Sequence, residues 1–122
     1  LGTMEDRTPD TFYGACHLLM DGLMNKYPTA TIVVMTPIQR SASPDLNRIH
    51  PSRYDATLLD YCNIIKEVAA FYSIPVLDLY SVAGIHPINE KNKQLFCPDG
   101  LHPSDAGNEL IASRLAGFLK AL

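Results

Sequence analysis

Two short apolar runs, each set between long helical stretches, constrain this chain most. They are "TIVVMTP", residues 31–37, and "IPVLDLYS", residues 74–81. Ile32 to Met35 is continuous and β-branched, which suits a strand covered on both faces, as in a parallel sheet. Pro37 stops the first run. The second run is short and apolar in the same way. Strands are expected over Thr31–Thr36 and Pro75–Tyr80. Strands alternating with helices imply a parallel sheet with right-handed crossovers.

The helical stretches frame this pattern. "RTPDTFYGACHLLMDGLMNKYP" reads as the first helix, with Thr8 as N-cap, Pro9 at the first helical position and Asp10 at the positive helix end. Phe12, Ala15, Leu19, Leu23 and Met24 form its stripe, read as a core face. "YDATLLDYCNIIKEVAAFYS" is the second helix, with Leu58, Leu59, Cys62, Ile64, Ile65, Val68 and Ala69 on a broad apolar face. "SDAGNELIASRLAGFLKAL" is the last, with Ser104 as N-cap and Leu110, Ile111, Leu115, Phe118 and Leu119 expected inward. Two segments read as irregular. One is "IQRSASPDLNRIHPSR", a loop long enough to suggest a binding or lid role. The other is "VAGIHPINEKNKQLFCPDG".

The order is α-β-α-β-α, and two strands make a poor sheet, because isolated pairs are marginal. The chain therefore reads as the second half of a doubly wound domain. At 122 residues it is expected to form a single unit. With 47% hydrophobic and 19% charged residues, its composition is that of an ordinary globular protein. A net charge of −3 gives no electrostatic case for nucleic acid, and no apolar run approaches the roughly 20 residues of a membrane span. "LGTMEDRTPD" is polar and turn-like, unlike a signal peptide. It lacks an initiator methionine, so a processed product or a part of a longer chain is expected, and the compartment stays open. Cys16, Cys62 and Cys97 are odd in number and widely spaced, and read as buried free thiols.

Chemistry concentrates in "CPDGLHP", residues 97–103. Pro98 and Pro103 bracket a bend, and Gly100 permits a turn that other residues resist. Asp99 can then accept the Nδ1–H of His102, which sets the tautomer and leaves Nε2 outward as a base. Asp-Gly is also an ordinary turn pair, so spacing alone leaves both a catalytic and a plain turn reading open.

The wider stretch "DGLHPSDAGNELIASRL" resembles the last block of the SGNH/GDSL hydrolases: Asp-x-x-His-Pro, then a glycine in the first turn of an apolar helix. "TPDTFYGACHLLMDGLMNKYPTATIVVMTP" and "IPVLDLYS" resemble that family's helix and strands before the block. The resemblance covers essentially the whole chain, and only the Asp-His block is a specific motif. It implies a three-layer α/β/α, flavodoxin-like fold. Residues 1–122 would be the C-terminal portion of one such domain, with about two parallel strands and three main helices. It implies hydrolysis of carboxylic esters, commonly acyl groups on carbohydrates or lipids, with His102 as general base, Asp99 as its orienting partner and no cofactor.

The family's nucleophile lies in a Gly-Asp-Ser block, and its oxyanion hole uses a glycine and an asparagine of further blocks. None of these stands in this sequence. "LGTMED" has Met4 and Glu5 where Asn and Asp would be needed. Ser41, Ser43, Ser52, Ser81 and Ser104 are the alternative nucleophiles, and none sits on a strand-to-helix elbow. The nucleophile and the oxyanion hole are thus expected outside this chain, and the chain alone is expected to be inactive. The rival reading is a non-catalytic binding or assembly module on the same scaffold. His50, His86, His102, Cys97 and Asp99 lack the spacing of a metal site. His17 and Asp78 read as structural, and Tyr13, Tyr54, Tyr61 and Tyr72 as half-buried helix residues. With each strand offering two edges and only one partner, a homo-oligomer is expected.

Overall fold

The computed structural model describes residues 1–41 and 56–122. In chain order the elements are α1 (Phe12–Lys26), β1 (Val34–Met35), α2 (Leu58–Phe71), β2 (Val76–Leu77), α3 (Leu79–Val82), α4 (Glu90–Phe96) and α5 (Asp105–Lys120). The two strands pair in parallel, with Val34 opposite Val76 and Met35 opposite Leu77.

Successive strand residues point to opposite faces, and the two cores follow that rule. Val34 and Val76 pack with Cys16 and Met20 of α1 and with Ile64, Val68 and Ala69 of α2. Leu77 joins the other core, with Leu79, Ala83, Ile85 and Cys97, against Leu110, Ile111, Leu115 and Phe118 of α5. Helices therefore cover both faces of the sheet, the layering expected of a doubly wound fold. Cys16, Cys62 and Cys97 are all buried and free. Tyr13, Tyr61 and Tyr72 are half-buried. Tyr54 lies outside the described residues.

The elements depart from the sequence reading in four places. Helix α1 begins at Phe12, capped by Thr11 rather than Thr8. Thr11 Oγ1 accepts from the Gly14 amide and donates to Asp6, while residues 8–10 form a turn that folds back on the helix. A side chain at Gly14 would strike the Thr8 carbonyl oxygen, with its Cβ only 1.8 Å away, so the tight entry requires glycine. Secondly, each strand is two residues long. Each has one partner, and the second ends where Asp78 starts α3.

Thirdly, α4 forms inside a segment read as irregular. Asn89 caps it by accepting from the Asn92 amide, and none of its residues is buried, so it carries no apolar stripe to read. Lastly, parts of the expected core faces are bare. Leu19 is 62% exposed, Met35 45% and Leu119 48%. Leu19 and Met35 line a groove of about 270 Å³ with Phe12, Ala15, Cys16, Met20, Val34 and Ile65. Helix α2 keeps its predicted face, with Cys62, Ile64, Val68 and Ala69 buried. A capping box at Thr57 and Asp60 fixes its start.

Beyond the sheet's carboxyl end the two strands are tied together. Thr36 Oγ1 donates to Asp78 Oδ1 at 3.0 Å and accepts from the Tyr80 amide. Asp78 Oδ2 accepts from Lys66 Nζ at 3.0 Å and from Ser81 Oγ at 2.8 Å. The carboxylate thus joins β1, α2 and α3. Burial by itself would raise the Asp78 pKa, but the bonds from Lys66, Ser81 and Thr36 outweigh it and hold the group below its ordinary value.

A depressed folded-state pKa contributes stability above the unfolded value, here 3.8, and that stability is lost as pH falls through the folded value. Asp78→Asn is therefore expected to cost about 1–2 kcal/mol at pH 7 and to lose less stability than the parent between about pH 5 and pH 2. Thermal unfolding across that range measures it. A parallel acid slope in the two proteins would contradict the assignment.

Candidate active site

The turn between α4 and α5 is closed by backbone bonds before any side chain acts. The Gly100 amide donates to Cys97 O at 2.8 Å, and the Ser104 amide donates to Phe96 O at 2.9 Å. Gly100 sits at φ +76°, the left-handed region where a side chain is strained. Ser104 caps α5, accepting from the Gly107 amide and donating to Leu95 O. Gly107 lets the helix press on the turn, since a Cβ there would lie 2.3 Å from the Phe96 carbonyl oxygen. The element leading into the turn is α4, a helix, rather than a strand or extended segment.

Within this frame Asp99 faces His102. Asp99 Oδ1 accepts from the backbone amides of Leu101 and His102 at 2.8 and 2.6 Å. Asp99 Oδ2 lies 2.5 Å from His102 Nδ1. The side-chain bond to His102, followed by the two backbone amides, holds the Asp99 carboxyl well below the usual carboxylate range. An ionised Asp99 can only accept, so Nδ1 carries the bonding proton, and in the neutral imidazole Nε2 is left as the acceptor. Both side chains are open to solvent, His102 76% exposed and Asp99 53%. The expected Asp99–His102 contact is thus formed in a pair open to solvent.

The turn also meets the loop that leaves β1. The Ser41 amide donates to Gly100 O at 2.8 Å. Among the described residues, no serine hydroxyl is bonded to His102. Ser41 Oγ is buried without a partner there. Ser81 donates to Asp78, and Ser104 is the α5 cap. Ser43, Ser52 and His50 lie outside the described residues. No three His, Cys, Asp or Glu side chains gather among the described residues into a cradle for a metal, and no described helix is long and apolar enough to cross a membrane. His17 is buried, with Nδ1 2.8 Å from the Tyr72 hydroxyl, in line with a structural role.

Two features escaped the sequence reading. One is the Thr36–Asp78–Lys66 tie, signalled only by polar residues at the ends of both apolar runs. The other is a pair formed by Gln39 and His86, considered below.

The chain resembles several solved structures. One is 35% identical over 100% of this chain and superposes with a TM-score of 0.92. A protein from Lactobacillus plantarum is 30% identical over 99% of the chain, with a TM-score of 0.89. The chain spans 57% and 59% of the length of these two. A possible lipase from Chitinophaga pinensis, 24% identical over 98% of this chain and 65% of its own, shares the fold at a TM-score of 0.65. No curated protein sequence matches the chain significantly. A model of the GDSL-like lipase/acylhydrolase family matches residues 4–110. With the two strands, the flanking helices and the family match in agreement, the chain belongs to the GDSL-like lipase/acylhydrolase family.

Proposed function

We propose that this chain supplies the acid–base half of a serine ester hydrolase, acting on acyl groups linked to carbohydrate or lipid alcohols. The observation that carries the reading is the bond between Asp99 and His102 Nδ1, which leaves Nε2 free and outward. In the reaction His102 Nε2 takes the proton of a serine hydroxyl as that oxygen attacks the ester carbonyl. It then returns the proton to the departing alcohol. A water molecule repeats the cycle on the acyl-serine. Asp99 holds the tautomer and stabilises the imidazolium that forms twice per turnover.

The serine and the oxyanion donors come, on this proposal, from the rest of the domain. Residues 1–122 are then its C-terminal portion. The lengths of the two similar solved structures support it, since this chain spans only 57% and 59% of them. The bare groove along α1 and β1 supports it too, because it offers an apolar seat beside an unpaired strand edge. The chain by itself is read as inactive.

The test is turnover of an aryl acetate by residues 1–122 joined to the rest of the domain. His102→Ala is expected to lower kcat/KM by about 10⁴-fold or more, and Asp99→Asn by on the order of 10³–10⁴-fold. Variants that keep parental turnover would remove both residues from the mechanism.

A further inference from the structure

A second exposed imidazole, like that of His102, has its Nδ1 held by a side-chain oxygen. Gln39 Nε2 donates to Tyr80 O at 3.1 Å, which fixes the amide so that Oε1 faces the other way. Oε1 lies 2.7 Å from His86 Nδ1. An amide oxygen only accepts, so Nδ1 of His86 carries the bonding proton, and in the neutral imidazole Nε2 is the acceptor. The backbone is fixed as firmly. The His86 amide donates to Asn92 Oδ1 at 2.7 Å, and Asn92 Nδ2 donates to Gly84 O at 3.0 Å. Ile85 and Pro87, on either side of His86, are buried. His86 itself is exposed. The result is an oriented acceptor standing on a packed base.

Its place follows from the chain. Gln39 is two residues before Ser41, whose amide is bonded to Gly100, and Gly100 is two residues before His102. Two residues span at most about 7 Å, so the chain of contacts from Gln39 through Ser41 and Gly100 to His102 is a short one.

We propose that Gln39 and His86 form a specificity subsite in which His86 Nε2 accepts a hydrogen bond from a hydroxyl group on the alcohol half of the ester. The proposal rests on the ester-hydrolase reading. Gln39 acts as the positioning residue and His86 as the residue that touches substrate. A neutral imidazole whose Nδ1 is already engaged can only accept at Nε2. It therefore rewards an O–H donor over an ether or alkyl group of the same shape. One exposed, neutral hydrogen bond of this kind supports about tenfold discrimination.

Binding can be read without turnover, on the domain that contains residues 1–122. The probes are methyl β-glucopyranoside and its fully O-methylated form, which has a similar outline and no O–H donor. The readout is the His86 imidazole ¹⁵N resonance during titration. The expected result is a saturable Nε2 shift with the glucoside and at least about tenfold weaker binding of the methyl ether. Gln39→Leu is expected to weaken the glucoside response by a similar factor, because it removes both the acceptor on Nδ1 and the bond to Tyr80 O. The titration needs no turnover, and the His102→Ala turnover assay tests the ester-hydrolase reading separately, so failure of that reading and failure of the subsite give different results. A linear, unsaturable shift, equal responses to the two probes, or unchanged binding in Gln39→Leu would overturn the subsite.

Discussion

Residues 1–122 by themselves are expected to hydrolyse simple aryl esters no faster than the same chain carrying His102→Ala. The Asp99–His102 pair is formed, with Asp99 Oδ2 on His102 Nδ1. Among the described residues no serine hydroxyl is bonded to it. Ser81 is committed to Asp78 and Ser104 to the α5 cap, and the Ser41 hydroxyl is buried with no partner among the described residues. Loss of the nucleophile alone removes about a millionfold in turnover from a serine hydrolase, and the remaining residues do not restore it, because the group acts as a unit. Stopped assays with 4-nitrophenyl acetate measure the difference. Turnover that disappears with His102→Ala in this chain would show that one of its own serines is the nucleophile.

The second expectation is that the chain alone does not persist as a compact monomer. The Val34 and Thr36 amides donate to β2, so by strand alternation Val33 and Met35 turn their amides to the other edge. That edge has no partner among the described residues. Beside it stand Met35, 45% exposed, with Leu18 at 47% and Leu19 at 62% on α1. An unpaired strand edge next to bare apolar side chains is a template for another chain. Light scattering at micromolar concentration is expected to give at least twice the monomer mass. Leu19→Glu combined with Met35→Glu is expected to move the population toward monomer, since each charge would have to be buried in the interface. A monomer that unfolds cooperatively would mean that the edge is self-sufficient.

These expectations also show what a sequence of this kind discloses. The Asp99–His102 turn, the Ser104 cap and the apolar face of α2 were all legible, because each depends on residues within one helix or one turn. The stripe on α1 was legible as a pattern, but its Leu19 and Met24 were misread as core. Helical periodicity reports that a face is apolar, not what covers it. Leu19 looks the same in sequence whether it meets the protein's own core or a groove open to a partner.

Helix α4 was missed because it is short and buries no residue, so only its Asn89 cap marks it. The Thr36–Asp78 and Gln39–His86 contacts join residues 42 and 47 positions apart. No local propensity encodes such pairs. They appear only when parallel pairing brings the ends of β1 and β2 side by side.

The central claim is that His102 serves as base for a serine supplied from outside residues 1–122. A fluorophosphonate, which bonds covalently to an activated serine, tests it most directly. The reagent is applied to the domain that contains these residues, and the adduct is located by mass spectrometry. The predicted result is one adduct, on a serine outside residues 1–122, with labelling slowed at least about a thousandfold by His102→Ala. An adduct on Ser41, Ser43, Ser52, Ser81 or Ser104, or labelling indifferent to His102, would contradict the account.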